Sequence, residues 1–343
     1  MTECPHFDHL LVIPRLRVQN ANAISSPMTH GFPSITAFLG LMWALERKAR
    51  ADGLDLQFNA VGVVCHSHHE QITQGGFVNA FCLTRNPVNK DGSVAAIVEE
   101  GRIHLDVSLV FGVQSRALSA NAMAGDDMAA QVRDLVTQMR IAGGSVVPSG
   151  VSRTRQMPYV VALTGTEHDR EKLFSRAKLR LLPGFVLTSR DDLLEQRHQV
   201  LLAKDAQSSR LDAWLSLSRI NWRSEDPADD DGKASKVQWT HDRAKTGWAV
   251  PIPVGYGALT ELQEPGTVAN ARDATTPFRF VESLYSIGQW VSPHRLQSPQ
   301  QLLWYADSQP DDGLYRCRND YQTPQMYDST EPNPISYKEF QHG

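Results

Sequence analysis

Residues 10–40 read LLVIPRLRVQNANAISSPMTHGFPSITAFLG, and the rest of the chain is arranged around this stretch. HLLVIPRLRV (9–18) has the pattern of a first strand, with Leu16 and Val18 on one side and Arg15 and Arg17 on the other. Pro14 puts that strand at an edge or a bulge, because proline cannot donate to a ladder. The strand opens into a polar loop in which Asn20, Asn22, Ser25, Ser26, Thr29 and His30 supply short donors and acceptors. Pro27, Gly31 and Pro33 bend the backbone between them. The loop holds no carboxylate, so with Arg15 and Arg17 before it the segment suits phosphates and base edges together. Ser34 then caps a helix over 35–51, whose apolar stripe is Phe38, Leu41, Met42 and Leu45 and which Gly53 stops.

Working outward, 58–74 and 77–85 read as two strands joined through Gly75 and Gly76, and 86–102 as a turn-rich insertion. The strand 103–113 alternates, and a helix over 126–141 ends at Gly143 and Gly144 before a further extended segment. The coarse order is β-α-β-β-α-β, which predicts an α+β fold with a ferredoxin-like, RRM-type palm over 9–165 that includes a thumb insertion at about 86–102. An irregular C-terminal elaboration follows over 166–318. It contains a basic helix near 167–181, short helices near 190–203 and 209–218, and a strand within 278–295. Residues 319–343 are polar and proline-bearing and are expected to pack loosely.

Composition narrows the function classes. A chain of 343 residues is one elaborated domain or two intimate ones, with 41% hydrophobic residues and a mean hydropathy of -0.34. No apolar run reaches the roughly 18 residues of a spanning helix, and MTECPHFDHL lacks the pattern of a secretory signal, so a cytoplasmic protein without membrane contact is expected. Cys4, Cys65, Cys82 and Cys317 are dispersed, which disfavours a zinc ribbon or disulfide framework. The net charge of -4 carries no general nucleic-acid signature, so any such contact must be local. Residues 153–180 are locally basic, whereas Glu225, Asp226, Asp229, Asp230 and Asp231 crowd one short solvated loop.

Several clusters bear chemistry. In CHSHHE (65–70), strand alternation places His66, His68 and Glu70 on one face. Alternate strand positions lie about 6.6 Å apart, awkward for a single tetrahedral metal, so no metal and no cofactor are predicted. No GxSxG elbow, Walker lysine loop, HExxH or helix-opening GxGxxG occurs, and no catalytic residue is assigned. Lys172, Arg176 and Arg180 share one side of the basic helix, offering either a solvated face or phosphate contact. Arg85, Asn86, Asn89 and Lys90 form a second polar loop, here with Asp91. It reads equally as an ordinary connection or as a finger that wedges between nucleotides.

The segments IPRLRVQNANAISSPMTHGFPS, LTRNPVNKDGSVAAIVEEGR, RLLPGFVLTSR, GWAVPIPVGYGAL, NARDATTPFRFVES and WVSPHR, in order from about residue 10 to 318, resemble the second Csy subunit family of the type I-F CRISPR surveillance complex. The resemblance implies a RAMP-superfamily, ferredoxin-like subunit without catalytic activity. Such a subunit caps the 5′ handle of the guide RNA, pairs with the large Csy subunit and contacts the terminal backbone Csy subunit. Target DNA is met only through the assembled complex. Carried onto this chain, RNA contact falls on Arg15, Gln19, Asn20, Asn22, Ser25 and Ser26, and thumb character on Arg85, Asn86, Asn89 and Lys90; the charge of the first strand and of the basic helix adds Arg17 and Arg176. The alternative within the same superfamily is an endoribonuclease that processes repeat RNA with His30 or His66 as acid or base. A metal-dependent hydrolase built on 65–70 is a third reading.

Overall fold

The computed structural model describes residues 3–85, 88–89, 91–121, 124–147, 156–225, 238–243 and 246–322. The chain divides between two units, Met1–Arg219 with Trp248–Tyr321 and Ile220–Gly247 with Gln322–Gly343. The larger unit is mixed α/β and is dominated by one antiparallel sheet of eleven strands.

Its first strand, β1 (His9–Asn22), runs on past the expected end at residue 18. The proline break explains how a strand containing Pro14 lies inside the sheet. Residues His9–Val12 and Arg17–Gln19 pair along the same side with two different strands, so the missing N–H falls where one partner has left and the other has yet to arrive. On the other side the register shifts between Ile13 and Leu16 and again between Val18 and Ala21. Arg15 and Asn20 take positive φ at these bulges, 55° and 56°. The small hairpin β2 (Ile24–Ser26) and β3 (Thr29–His30) follows.

Ser34 caps α1 (Ile35–Ala51) by accepting from the Thr36 N–H, and Lys48 and Arg50 favour its C-terminal end. β4 (Gln57–Glu70) pairs along its length with β9 (Arg102–Gln114), from Gln57↔Gln114 to Glu70↔Ile103. Between them stand β5 (Ile72–Gly75), β6 (Val78–Phe81), β7 (Leu83–Arg85) and β8 (Ile97–Glu99), paired as β5–β6 and β7–β8. This corrects the expected strands 58–74 and 77–85. The apolar run of β4 ends at Cys65, and the turn at Gly76 (φ 66°) joins two exposed four-residue strands. The insertion is therefore an exposed arm that begins at Gln71, well before residue 86.

After the short helix α2 (Arg116–Ala120) comes α3 (Gly125–Thr137), which ends four residues before the predicted end at 141. β10 (Arg140–Ile141) and β11 (Gly144–Val147) occupy the remainder, turning through Ala142 (φ 48°) and Gly143 (φ 80°). β12 (Tyr159–Ala162), α4 (Glu167–Leu179) with its Thr166–Asp169 capping box, β13 (Phe185–Ser189), α5 (Asp191–Leu202) and α6 (Arg210–Leu217) follow. In the smaller unit, β14 (Trp222–Glu225) and β15 (Gln238–His241) form a hairpin in which Trp222 sets its ring against His241 at 4.7 Å. The acidic positions Asp226, Asp229, Asp230 and Asp231 lie outside the described residues. β16 (Ala249–Ala258), β17 (Val281–Val291), α7 (Pro299–Leu302), β18 (Trp304–Gln309) and β19 (Leu314–Asn319) complete the larger unit. At the start of the predicted tail, Asp320 accepts from the Tyr305 hydroxyl at 2.7 Å and from the Cys4 N–H at 3.2 Å. Residues 323–343 lie outside the described residues. Among the described residues no helix is long and apolar enough to cross a membrane.

The sheet order is β10-β11-β1-β9-β4-β13-β17-β16-β19-β18, with β12 also on β1. β18 returns to β4 at Trp304↔Val61, so β4, β13, β17, β16, β19 and β18 close on themselves. One face of β1, β4 and β9 is buried under α1 and α3, where Val18, Leu105 and Val107 meet Phe38, Met42, Val132 and Val136. On the other face Leu10, Val12, Val64 and Val110 are buried with Phe174 of α4 and with Leu302, Leu303 and Tyr305. Fully buried Trp304 sits at the closure and donates its indole N–H to the Leu187 carbonyl at 2.8 Å. Trp304→Ala removes that donor and leaves a large cavity, so a loss of about 3–5 kcal/mol is expected, read as a lower urea midpoint with an unchanged slope.

Candidate nucleic-acid interface

The second face of the sheet changes character along β1. Up to Val12 it is apolar and covered; beyond Arg15 it is polar and exposed. Paired residues share a face, which places Arg17, Asp106 and Ser67 in one row and His69 with His104 in the next. Arg102 with Asn22 forms a third row, and Gln19, Ser145 and Arg140 extend the patch along β11 and β10. Side-chain contacts agree with the register. The His69 and His104 rings stack at 6.3 Å, and the Arg140 guanidinium bonds the Ser145 hydroxyl. Among these residues the carboxylate is Asp106, faced by Arg15 at 3.5 Å.

The bulges set this surface. Arg15, turned by its positive φ, donates its N–H to Ser108 Oγ at 3.0 Å and its guanidinium to the Pro183 carbonyl at 3.3 Å. His66 lies on the same network, with Nδ1 2.6 Å from the Pro183 carbonyl and Nε2 2.6 Å from Ser108 Oγ. A carbonyl only accepts, so Nδ1 carries the proton and Nε2 accepts from the serine. The β4 register shifts between Cys65 and Ser67, which parts His66 from His68 and Glu70 and corrects the expected three-residue face. Among the described residues no three of His, Cys, Asp and Glu gather into a group that could hold a metal ion. Burial, helped by Asp106, pushes the Cys65 thiol up to about 12, so it stays neutral.

The predicted residues separate into surface groups and loop formers. Arg17 and Gln19 are exposed on the patch. Asn20 donates its N–H to His104 Nδ1 at 3.2 Å and accepts from the Gln71 amide. Asn22 bonds both the carbonyl and the N–H of Ile24, at 2.7 and 3.1 Å. Ser25 and Ser26 hold the Thr29 hydroxyl at 2.8 and 2.6 Å. These three side chains shape the β2–β3 turn. His30 stands off the patch, 3.0 Å from Glu70 with its ring edge-on to Phe81. Arg85 is exposed at the end of β7, and Asn89 bonds Ser93 in the arm. Asn86 and Lys90 lie outside the described residues. Arg176 is exposed on α4; its neighbour Arg180 lies over the Tyr159 ring at 3.4 Å. Arg102, His69, His104, Arg140 and Ser145 were missed. The alternation of RIHLD announces Arg102 and His104, whereas reading 126–141 as helix hid Arg140.

A model of the family described as CRISPR-associated protein (Cas_Csy2) matches residues 11–317. The chain belongs to this family. CRISPR-associated protein Csy2 of Pseudomonas aeruginosa (strain UCBPP-PA14) is 47% identical over 313 residues, covering 90% of this chain and 94% of the relative. The stretches quoted for the resemblance in sequence, from Ile13 in β1 to Arg295 beyond β17, fall within the family match, which ends at Cys317.

Within this Csy2-family chain, His66 gives the exposed half of the sheet a pH-dependent support. Burial is the largest influence on its ring and pushes the imidazolium below its ordinary 6.5. The unfolded chain takes up that proton near pH 6.5 and the folded chain only at lower pH. The contribution is therefore complete above pH 6.5 and is lost as the pH falls through the depressed value. Melting temperatures at pH 7.5 and 5.5 should show the fall, and His66→Gln should flatten it only in part, because His9 shifts in the same direction through burial.

Proposed function

We propose that the chain is a non-catalytic RNA-binding subunit of a type I-F CRISPR effector complex, acting in the cytoplasm. In this reading it caps the 5′ handle of the guide RNA and pairs with the large Csy subunit. It also touches the terminal backbone Csy subunit and meets target DNA only through the assembled complex. The observation that carries the reading is the exposed half-face around Arg17, Gln19, Asn20, His69, His104 and Arg140. A sheet face normally buried or covered is here lined with cations, amides and imidazoles, the groups that bind phosphates and unstacked bases. The β11/β12-β1-β9-β4 order, with α1 and α3 on the opposite face, supports reading this half as a ferredoxin-like, RRM-type palm with the 71–101 arm as its thumb.

Within the patch the two arginines of β1 have different tasks. Arg15 is half-buried and bound to Asp106 and Pro183, so it holds the bulge; Arg17 is free to meet a phosphate. A labelled single-stranded RNA carrying the repeat-derived 5′ handle, titrated against salt, tests this. Arg17→Ala should weaken binding and lower the slope of log K against log salt by about 1, with the melting temperature unchanged. Arg15→Ala should lower the melting temperature as well. An unchanged slope for Arg17→Ala would overturn the assignment.

One contact favours a second reading. His30 and Glu70 form an exposed histidine–carboxylate pair that leaves Nε2 open, which would suit a repeat-RNA endoribonuclease. Incubating the protein with repeat RNA separates the two: intact RNA is expected, and specific cleavage lost in His30→Ala would favour the nuclease.

A further inference from the structure

Beside the β2–β3 turn lies a cleft of about 410 Å³ lined by residues of α1, the Met139–Gly143 turn and Tyr256. Its floor is Ala37, Gly40, Leu41 and Ala44 with Met139, and its rim carries Asn22, Ser25, Ser34, Thr36, Arg140 and Tyr256. Not one lining residue is a carboxylate, in a chain that is acidic overall. We infer that this cleft receives a single unstacked nucleotide of the bound RNA, the base against the apolar floor and the sugar-phosphate toward Arg140. The inference rests on the RNA-binding reading above and names a subsite for it.

Three observations select a nucleotide over a protein segment or a free anion. The volume lies within the range of small-molecule sites and suits one nucleotide, too small for a folded element of a partner. The cleft, on the α1 side, and the exposed patch meet at the β10–β11 edge of the sheet, where Arg140 lines the cleft and also bonds Ser145, which pairs with Gln19 of β1. A strand crossing the patch thus reaches the cleft at that arginine. The groups at the mouth are suited to sugar and base edges more than to a lone phosphate. The Thr36 N–H at the start of α1 is already taken by the Ser34 hydroxyl, and Tyr256 OH stands 3.5 Å from Thr36 Oγ1. Asn22 is committed to Ile24, so it forms a wall of the cleft.

Gly40 provides the test. A Cβ there meets nothing within 4 Å, so a larger side chain enters the cleft without displacing the protein, and leucine suits a helix interior better than glycine. With the handle RNA as probe, Gly40→Leu should bind about ten-fold more weakly, since it displaces one base from the apolar floor, and its salt slope should match the wild type. Ala44→Leu, from the next turn of α1, should do the same and stands in if Gly40→Leu melts early. RNA bearing 4-thiouridine at successive positions should cross-link at one position to peptides from 34–44 or 139–143, and lose that cross-link in Gly40→Leu. If both leucine variants bind like wild type while Arg17→Ala weakens, the cleft is overturned and the RNA-binding reading stands. Normal RNA binding with failed assembly onto the other subunits would assign the cleft to protein and overturn the inference. If wild type itself does not bind the RNA, both fall together.

Discussion

The absent N–H of Pro14 organises the part of the sheet built on β1, β9 and β4. A central strand must satisfy donors and acceptors on both sides, and a proline within it normally ends the pairing. Here two strands share one side of β1, with β12 on His9–Val12 and β11 on Arg17–Gln19, and the proline falls in the gap. The adjacent bulge turns Arg15 through positive φ and hands its N–H to Ser108. That hydroxyl in turn supports His66, which reaches across to Pro183 ahead of β13. One residue without a donor thus fixes where the sheet changes partners, where its covered face ends and where its polar face begins.

Much of this was legible in the sequence because the signals were local. The Ser34 cap, the stripe Phe38-Leu41-Met42-Leu45 and the charged end of α1 were read at the observed boundaries, and Pro14 announced a bulge. The misreadings came from long-range pairing. The register that carries β4 alongside β9 as far as Glu70 depends on thirteen residues of partner strand, so 58–74 could not be divided correctly by pattern alone. Residues 138–141 continue a plausible helical pattern, yet Arg140 and Ile141 pair with β11, which holds Arg140 against Ser145. The bulge at His66 is likewise invisible to strict alternation, and it separates that ring from His68 and Glu70. In the loop itself, composition did not distinguish the exposed side chains from those that build the turn. Asn22, Ser25 and Ser26 proved to bond the backbone and hydroxyls of their own turn.

The exposed patch lies on a protein whose formal net charge is -4, so its local charge depends on which side chains are paired. At physiological salt, exposed charges are screened beyond about 8 Å, so the near neighbours of a patch residue set the potential it feels. Within that radius the sign is set by Arg17, Arg140 and Arg102, against Asp106 and Glu100. Arg15 faces Asp106, and Arg102 holds Glu100 at 2.9 Å. Few cations remain uncommitted, so phosphate attraction alone can supply only a modest affinity. In the RNA-binding reading proposed above, the rest must come from stacking, hydrogen bonds to unpaired bases and neighbouring subunits. In that reading these interactions discriminate a defined RNA end from bulk nucleic acid, whereas a strongly basic face would bind both.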